Sequence, residues 1–259
     1  MLPELTIEPP DPAAAPTPPL SYARRAEPYE LVELMDQPCS YEDFRGCLRD
    51  LAEVNRITRA YAPTLAYLDR IVKRTPGLHA CPLHILDVGF GGGDTLLAIA
   101  RWAEQRNLAV FLSGVDLNPH AARAARELNA RNPLAAHIEW HTADVFTYKL
   151  ERPPDVILSA LFTHHLTSPE IVRFLAWMEQ HAHLGWYIND LHRSRRAAFW
   201  FRFLPIIFNW HHFVQNDGPI SLRRAFTPED WQRMLAQANI TEASIEQHPM
   251  NRLCVARIR

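Results

Sequence analysis

The chain has few cysteines and no pairing pattern among them. Cys39, Cys47, Cys81 and Cys254 are scattered, with no C-x-x-C. That argues against a disulfide frame and a cysteine-rich zinc site, and for free thiols in a reducing compartment. Charge of one sign is lacking too: 27 basic side chains face 29 acidic ones, so the electrostatic footprint of a nucleic-acid binder is missing. No apolar run reaches the roughly 18 residues of a membrane span. The acidic, proline-rich N-terminus has the character of neither a signal nor a transit peptide. A soluble, cytoplasmic protein is expected. There is no internal repeat, no G-x-S-x-G elbow, no G-x-x-x-x-G-K-[ST] phosphate loop and no H-E-x-x-H.

What is present falls into three stretches. The first 20 residues hold seven prolines without sustained periodicity, and residues 1–28 are expected to form a disordered or loosely attached tail. From Tyr29 to about Arg74 the pattern is helical, with Leu48, Leu51, Val54, Ile57 and Tyr61 making one apolar stripe. Pro63 should break or kink this region, and Pro76-Gly77 closes it, giving a helical N-terminal unit over 29–78. Over 79–259, strand-like and helix-like segments alternate, the signature of an α/β fold with a mostly parallel sheet covered on both faces. Strands are expected at His84–Val88, Val110–Val115, Ile138–His141, Val156–Ala160, Trp186–Ile188, Ala243–Gln247 and Leu253–Ile258. Asn118-Pro119, Ser168-Pro169 and Thr227-Pro228 open helices, the last with Asp230 placed for a capping box. A helical insertion over about 193–226 interrupts the alternation, and its Ala197–Phe213 stretch is crowded with aromatics. Arg193, Arg195 and Arg196 read as the solvated start of a helix.

The richest segment runs from Ile85 to Thr95. A short apolar strand ends in Asp87 and enters a glycine cluster, Gly89, Gly91 and Gly93, followed by a helix. Strand, glycine turn and helix bring backbone close to a nucleotide-like ligand, with helix amides facing its anionic end. A hydride-transferring fold wants G-x-G-x-x-G, but Asp94 fills the third slot. Asp116 ends the second strand about 25 residues past the turn, positioned to take ribose hydroxyls. Asp144 follows the third strand, with Val145 and Phe146 beside it. The fourth strand delivers Ser159 and then His164-His165 to the carboxyl edge of the sheet, where ligands of open α/β sheets bind. Adjacent histidines in extended chain point to opposite sides. His164-His165 and His211-His212 are therefore expected to be poor chelators, and no metal is expected.

The D-x-G-x-G-x-G run resembles the first motif of the class I S-adenosylmethionine (SAM) dependent methyltransferases. The LFTHHL stretch resembles their small-molecule branch, which includes the ubiquinone and menaquinone methyltransferases. The stretches ELMDQP, LAEVNRITRAYAPTLAYLDR, INDLHRSR and GPISLRRAFTPEDW resemble a bacterial subgroup associated with type III polyketide synthases. The resemblance implies a Rossmann-like, seven-stranded sheet with a helical N-terminal lid and a helical insertion after strand five. It implies SAM as cofactor, with Asp87, Gly89, Phe90, Gly91 and Gly93 at the methionine and ribose end. Asp116 and Leu117 would hold ribose and adenine, Asp144 and Val145 the adenine edge, and Ser159 or its backbone the methionine amino group. Phe90 fills a slot where many relatives carry cysteine or alanine.

The expected reaction is methyl transfer to a small aromatic, phenolic or polyketide-like acceptor, most readily at oxygen. C-methylation of a quinone precursor and a silent, methyltransferase-like binding protein are the alternatives. A phenol needs a base, for which His165 ranks first, His164 second and His192 third. The aromatics of Ala197–Phe213 and the helices around Leu48–Tyr67 are expected to form a lid over a lipophilic acceptor. Arg202, His211 and His212 leave a peripheral membrane contact open. The oligomeric state is open as well.

Overall fold

The computed structural model describes residues 22–75, 81–201 and 210–259, with only the backbone of residues 200 and 201. Five strands run parallel: β1 (Leu83–Val88), β2 (Val110–Asp116), β3 (Ile138–Thr142), β4 (Val156–Ala160) and β5 (Gly185–Leu191). β6 (Ser244–His248) and β7 (Arg252–Ile258) complete the sheet, with β7 antiparallel to both β5 and β6. The order is β3-β2-β1-β4-β5-β7-β6, a seven-stranded, mostly parallel α/β sheet. Every residue of β1 is buried, as a central strand covered on both faces must be. Chain direction across the sheet switches between β1 and β4, and at such a point the carboxyl ends of the strands open a crevice.

Alternation along each strand divides the core in two. Ile85, Leu112 and Leu158 face one layer of helices, while Leu86, Val88, Ile157 and Ile188 face the other. The first layer holds α1 (Tyr41–Ile57), α2 (Ala62–Arg74), α3 (Asp94–Glu104) and α4 (Ala121–Leu128). The second holds α5 (Ser168–His181) and a later helix, Pro228–Gln237. Between them in sequence come α6 (Arg195–Phe201) and α7 (His212–Arg224), and the later helix is therefore α8.

Several local expectations need correction. Residues 22–28, assigned to the tail, are packed: Arg25 and Ala26 are buried, and Ala26 N donates to Arg223 O at 3.0 Å. The stretch from Tyr29 is not a helix. Among the described residues before α1, a 3-10 turn, Leu34–Asp36, is the one helical element, because the carboxylate of Asp217 takes the amides of Leu34 and Met35 at 2.8 and 3.1 Å. Pro63 lies in the first turn of α2, where proline is tolerated, so the break falls between Ile57 and Ala62. α2 is part of the sheet's cover: Tyr67 stacks on Tyr187 at 4.6 Å and its hydroxyl donates to Arg257 O at 2.9 Å. His120 and Thr167 are the N-caps of α4 and α5, each one or two residues from the positions expected. The capping box of α8 forms as expected, with Thr227 N on Asp230 Oδ2 at 2.9 Å and Asp230 N on Thr227 Oγ1 at 3.3 Å.

Arg193 is the clearest departure. It is buried, and its Nη1 donates to Asp230 Oδ2 at 2.6 Å and to Ala225 O at 2.8 Å. A charge run in sequence says nothing of which member turns inward. Removing one partner of a buried pair costs about 3–5 kcal/mol when the other is left alone, but Asp230 keeps Arg233 and the amide of Thr227. Arg193→Ala should therefore lower unfolding free energy by about 1–3 kcal/mol, the cost of the buried hydrogen bonds lost. Urea denaturation followed by circular dichroism checks it; an unchanged midpoint would show that the pair contributes nothing.

Candidate active site

β1 gives way at Val88 to the glycine turn. Gly89 has φ +74°, and a Cβ there would meet the Phe162 ring at 2.5 Å. Gly93, also at φ +74°, caps α3 against the Trp140 ring. Only glycine fills both positions without strain. Asp116, ending β2, ties the two strand ends together: its Oδ2 accepts from Gly91 N and its Oδ1 from Asn118 N, both at 2.9 Å. An ionised carboxylate has about four acceptor sites, so two such bonds leave capacity for a ligand.

These strand ends border a cavity of about 1090 Å³. That lies at the upper limit of the roughly 300–1,000 Å³ typical of single-ligand pockets, leaving room for a cofactor and an acceptor together. On the β1–β2 side its wall is Asp87, Gly89, Phe90, Gly91, Asp116 and Leu117. On the β4–β5 side it is Phe162, His164, His165 and Leu166, joined by Glu33 and Asp36 from the N-terminal segment. Side chains of α1 and α7, among them Phe44, Leu48, Val54, Val214 and Leu222, cover it with apolar surface.

The expected cofactor residues divide accordingly. Asp87, Gly89, Phe90, Gly91, Asp116 and Leu117 line the cavity; Gly93, Asp144, Val145 and Ser159 do not. Asp144 Oδ1 caps its own turn by accepting from Phe146 N at 2.9 Å, and Val145 sits in the core. Ser159 Oγ donates to Val88 O at 3.2 Å, and its neighbours Ala160, Leu161 and Phe162 reach the wall instead.

The two adjacent histidines lie together in a 3-10 turn, Thr163–His165, rather than in extended chain. Their rings are 4.3 Å apart, so the expectation that adjacency sends them to opposite sides is overturned. Asp190, at the end of β5, accepts from Thr163 Oγ1 at 2.5 Å, His164 N at 3.1 Å and His164 Nδ1 at 2.7 Å. Asp36 Oδ1 accepts from His165 Nδ1 at 2.7 Å. With Nδ1 committed as donor, Nε2 of each ring carries the lone pair. Both Nε2 atoms face Glu33, His164 at 4.0 Å and His165 at 3.9 Å, too far for a hydrogen bond. Burial alone would lower the pKa of His165, but Glu33 and Asp36 outweigh it and Arg224, and the pKa is raised. Glu33, His164 and His165 bring one ligand atom each within 4.8 Å of one another, close enough to share a metal ion, against the expectation that adjacent histidines make poor chelators. Arg224 Nη1 supplies positive charge beside them, 3.3 Å from Glu33 and 2.8 Å from Asp36. His211 and His212 form a similar pair of rings at 4.3 Å, with Nε2 of His211 3.5 Å from Asp43. His192 lies off the cavity, its backbone paired with Asn251, and burial lowers its pKa.

Sequence reasoning missed Glu33, Asp36, Asp190 and Arg224, which frame the histidines, and Asn55, Tyr61, Asp94 and Arg252 on the cavity wall. Asp94 Oδ2 accepts from Asn55 Nδ2 at 2.9 Å and Tyr61 OH at 2.6 Å. Of the aromatic insertion, Phe203 and Phe208 lie outside the described residues. Trp210 and Phe213 are buried against Cys47 and Val54 of α1, so they join α7 to α1.

Residues 85–185 match the family described as a methyltransferase domain. A tRNA1(Val) (adenine(37)-N6)-methyltransferase of Glaesserella parasuis serovar 5 (strain SH0165) is 31% identical over 105 residues, 40% of this chain and 43% of that protein. The chain thus spans less than half of the curated relative's length. PigF, solved with S-adenosylhomocysteine (SAH), superposes with a TM-score of 0.57 at 14% identity, covering 86% of this chain and 64% of PigF. The plantazolicin methyltransferase BpumL, in complex with a monoazolic desmethylPZN analog and SAH, gives 0.55 at 15%, covering 85% and 98%. Residues 85–185 thus match a methyltransferase domain, and the fold is that of these SAH-bound methyltransferases, for which the methyl-donating cofactor is SAM.

The cavity fits that cofactor. Asp87 Oδ1 is buried without a partner, and burial, with Asp94 and Asp116 nearby, pushes its pKa well up; a ligand's ammonium group would relieve it. Leu117 is 71% exposed on the wall, an uncovered apolar surface beside Asp116 that suits a nucleobase. Asp116→Ala should cost SAM binding about 1.5–3 kcal/mol per hydrogen bond lost, roughly tenfold to a hundredfold. Calorimetry on a variant with native circular dichroism checks this, and unchanged affinity would remove Asp116 from the cofactor site.

Proposed function

We propose that this chain transfers the methyl group of SAM to an oxygen of a small, largely apolar aromatic acceptor such as a phenol. One observation carries the reading. Two imidazoles with Nδ1 held by carboxylates, and Nε2 left as acceptor, lie on the wall of the cavity that the glycine turn also borders. SAM, when bound, supplies a sulfonium-activated methyl group and its leaving group. The chain's own task is to align the acceptor, exclude water and take a proton.

A phenol of pKa about 10 is mostly protonated at neutral pH. His165 Nε2 is the group that takes this proton as the new bond forms, with Asp36 fixing its tautomer. His164, only 3% exposed and locked by Asp190, ranks second. The apolar cover from α1 and α7 supports a lipophilic acceptor. The curated relative's name specifies a tRNA adenine, but a net charge of -2 without a basic cluster favours a small molecule here. C-methylation of a quinone precursor would leave the base dispensable.

His165→Ala is expected to keep SAM affinity and lose about 10²–10⁴ in turnover. Turnover near that of the unaltered enzyme would sink the oxygen-directed reading, while loss on His164→Ala alone would move the role to that residue.

The pH profile gives a second check. The base must be neutral, so kcat/KM should climb as pH rises through the raised pKa of His165. The charged and titratable groups facing it are Glu33, Asp36, Arg224, His164 and Asp116. Glu33 favours the protonated form, so Glu33→Gln should move the climb to lower pH. An unmoved or opposite limb would contradict the assignment.

A further inference from the structure

Four arginines are buried among the described residues: Arg25, Arg193, Arg224 and Arg252. Three have a carboxylate in ion-pair contact. Arg25 reaches Glu27 at 3.0 Å, Arg193 reaches Asp230 at 2.6 Å and Arg224 reaches Asp36 at 2.8 Å. Arg252, the first residue of β7, has none among the described residues. Its one hydrogen bond there runs from Nη2 to Asn55 Oδ1 at 3.2 Å, and its Nε is buried without a partner. It is 4% exposed, yet it lines the cavity.

The acids whose charge it feels are engaged elsewhere. Asp190 is occupied by Thr163, His164 and the amide of Leu191, and Asp94 Oδ2 by Asn55 and Tyr61. A guanidinium kept from water without a counter-charge is costly, and its planar fork matches a carboxylate. Asn55 holds that fork in place from α1, while Asp94 holds Asn55. A buried cation on a cavity wall, steadied by a neutral amide, is arranged for an anion that comes and goes.

We propose that Arg252 is a carboxylate-binding group of the cavity, completed by the carboxylate of a bound ligand. The ligand's identity rests on the methyl-transfer reading; the anion site does not. Two sources share this chemistry. One is the α-carboxylate of the cofactor's methionine moiety. For it, Asp87 offers the matching unpaired acid, and both Asp87 and Arg252 feel the charge of Asp94 at the start of α3. An α-amino acid carries one charge of each sign, as these two residues together require. The other source is a carboxylate on the acceptor.

The full chain, its Arg252→Gln variant and its Arg252→Lys variant are titrated by calorimetry with SAH and with 5′-methylthioadenosine, which lacks the amino acid end. They are then titrated with 4-hydroxybenzoate in the presence of saturating SAH. A cofactor source predicts a loss of about tenfold or more for SAH in Arg252→Gln, with 5′-methylthioadenosine unchanged. An acceptor source predicts unchanged SAH and the same loss for hydroxybenzoate. Should Arg252→Gln fail to fold, Arg252→Lys keeps the charge without the fork, and the same selective loss, smaller in size, is expected. Unchanged binding of both carboxylates, or equal losses for SAH and 5′-methylthioadenosine, would overturn the proposal. Neither binding result depends on methyl transfer, so a failure of the oxygen-methylation reading shows separately, in turnover.

Discussion

The charge of Arg224 holds together the β4–β5 side of the cavity. The residue is fully buried, and a guanidinium taken from water must find acids or lose several kcal/mol, on the order of the whole stability of a domain. It finds Glu33 and Asp36, brought by the N-terminal segment from almost 190 residues away in sequence, at 3.3 and 2.8 Å. Its Nε donates to His164 O at 2.8 Å, which fixes the turn after β4. Asp36 in turn orients His165, and Asp190 orients His164. The imidazoles are therefore placed by a network whose members come from the N-terminal segment, β5 and α7.

Paired and unpaired charges are distributed with a purpose. Groups that position others have an opposite charge or a donor in contact: Arg224 has Asp36, Asp190 has His164 and Thr163, and Arg193 has Asp230, although Arg224 Nη2 is left over. Among the described residues, Asp87 Oδ1 and Arg252 Nε lack partners on the cavity wall, one belonging to an acid and the other to a base. Buried polar atoms in folded proteins almost always have partners, so a cavity that leaves two without them is shaped for a ligand that brings its own. The apolar cover from α1 and α7 makes the same point from the hydrophobic side: Leu48 and Val54 face open space rather than core alone.

Local features of this fold were legible in the sequence because their causes are local. The glycine turn follows from positive φ at Gly89 and Gly93, and Asp116 ends β2 because the strand ends there. The central strands are apolar runs that only a covered parallel sheet can use. What escaped depends on long-range pairing. Glu33, Asp36 and Arg224 look like ordinary surface charges until the chain folds, and the helix expected from Tyr29 was lost to capping by Asp217. His164 and His165 were judged by the geometry of extended chain, whereas a 3-10 turn sets them side by side. Gly93, Asp144, Val145 and Ser159 belong to a motif whose positions are recognisable, but their side chains serve the turn and core around the cavity.

The central claim is that a methyl group is delivered to oxygen on an apolar aromatic molecule. It is tested most directly by incubating the protein with SAM carrying a ¹³C-labelled methyl group and a panel of hydroxylated aromatics of graded hydrophobicity. Carbon NMR of the extracted products then locates the label. The account predicts a signal in the range of an aryl O-methyl carbon, strongest with the more lipophilic acceptors. Label found on carbon or nitrogen, or acceptance only of small polar molecules, would contradict it.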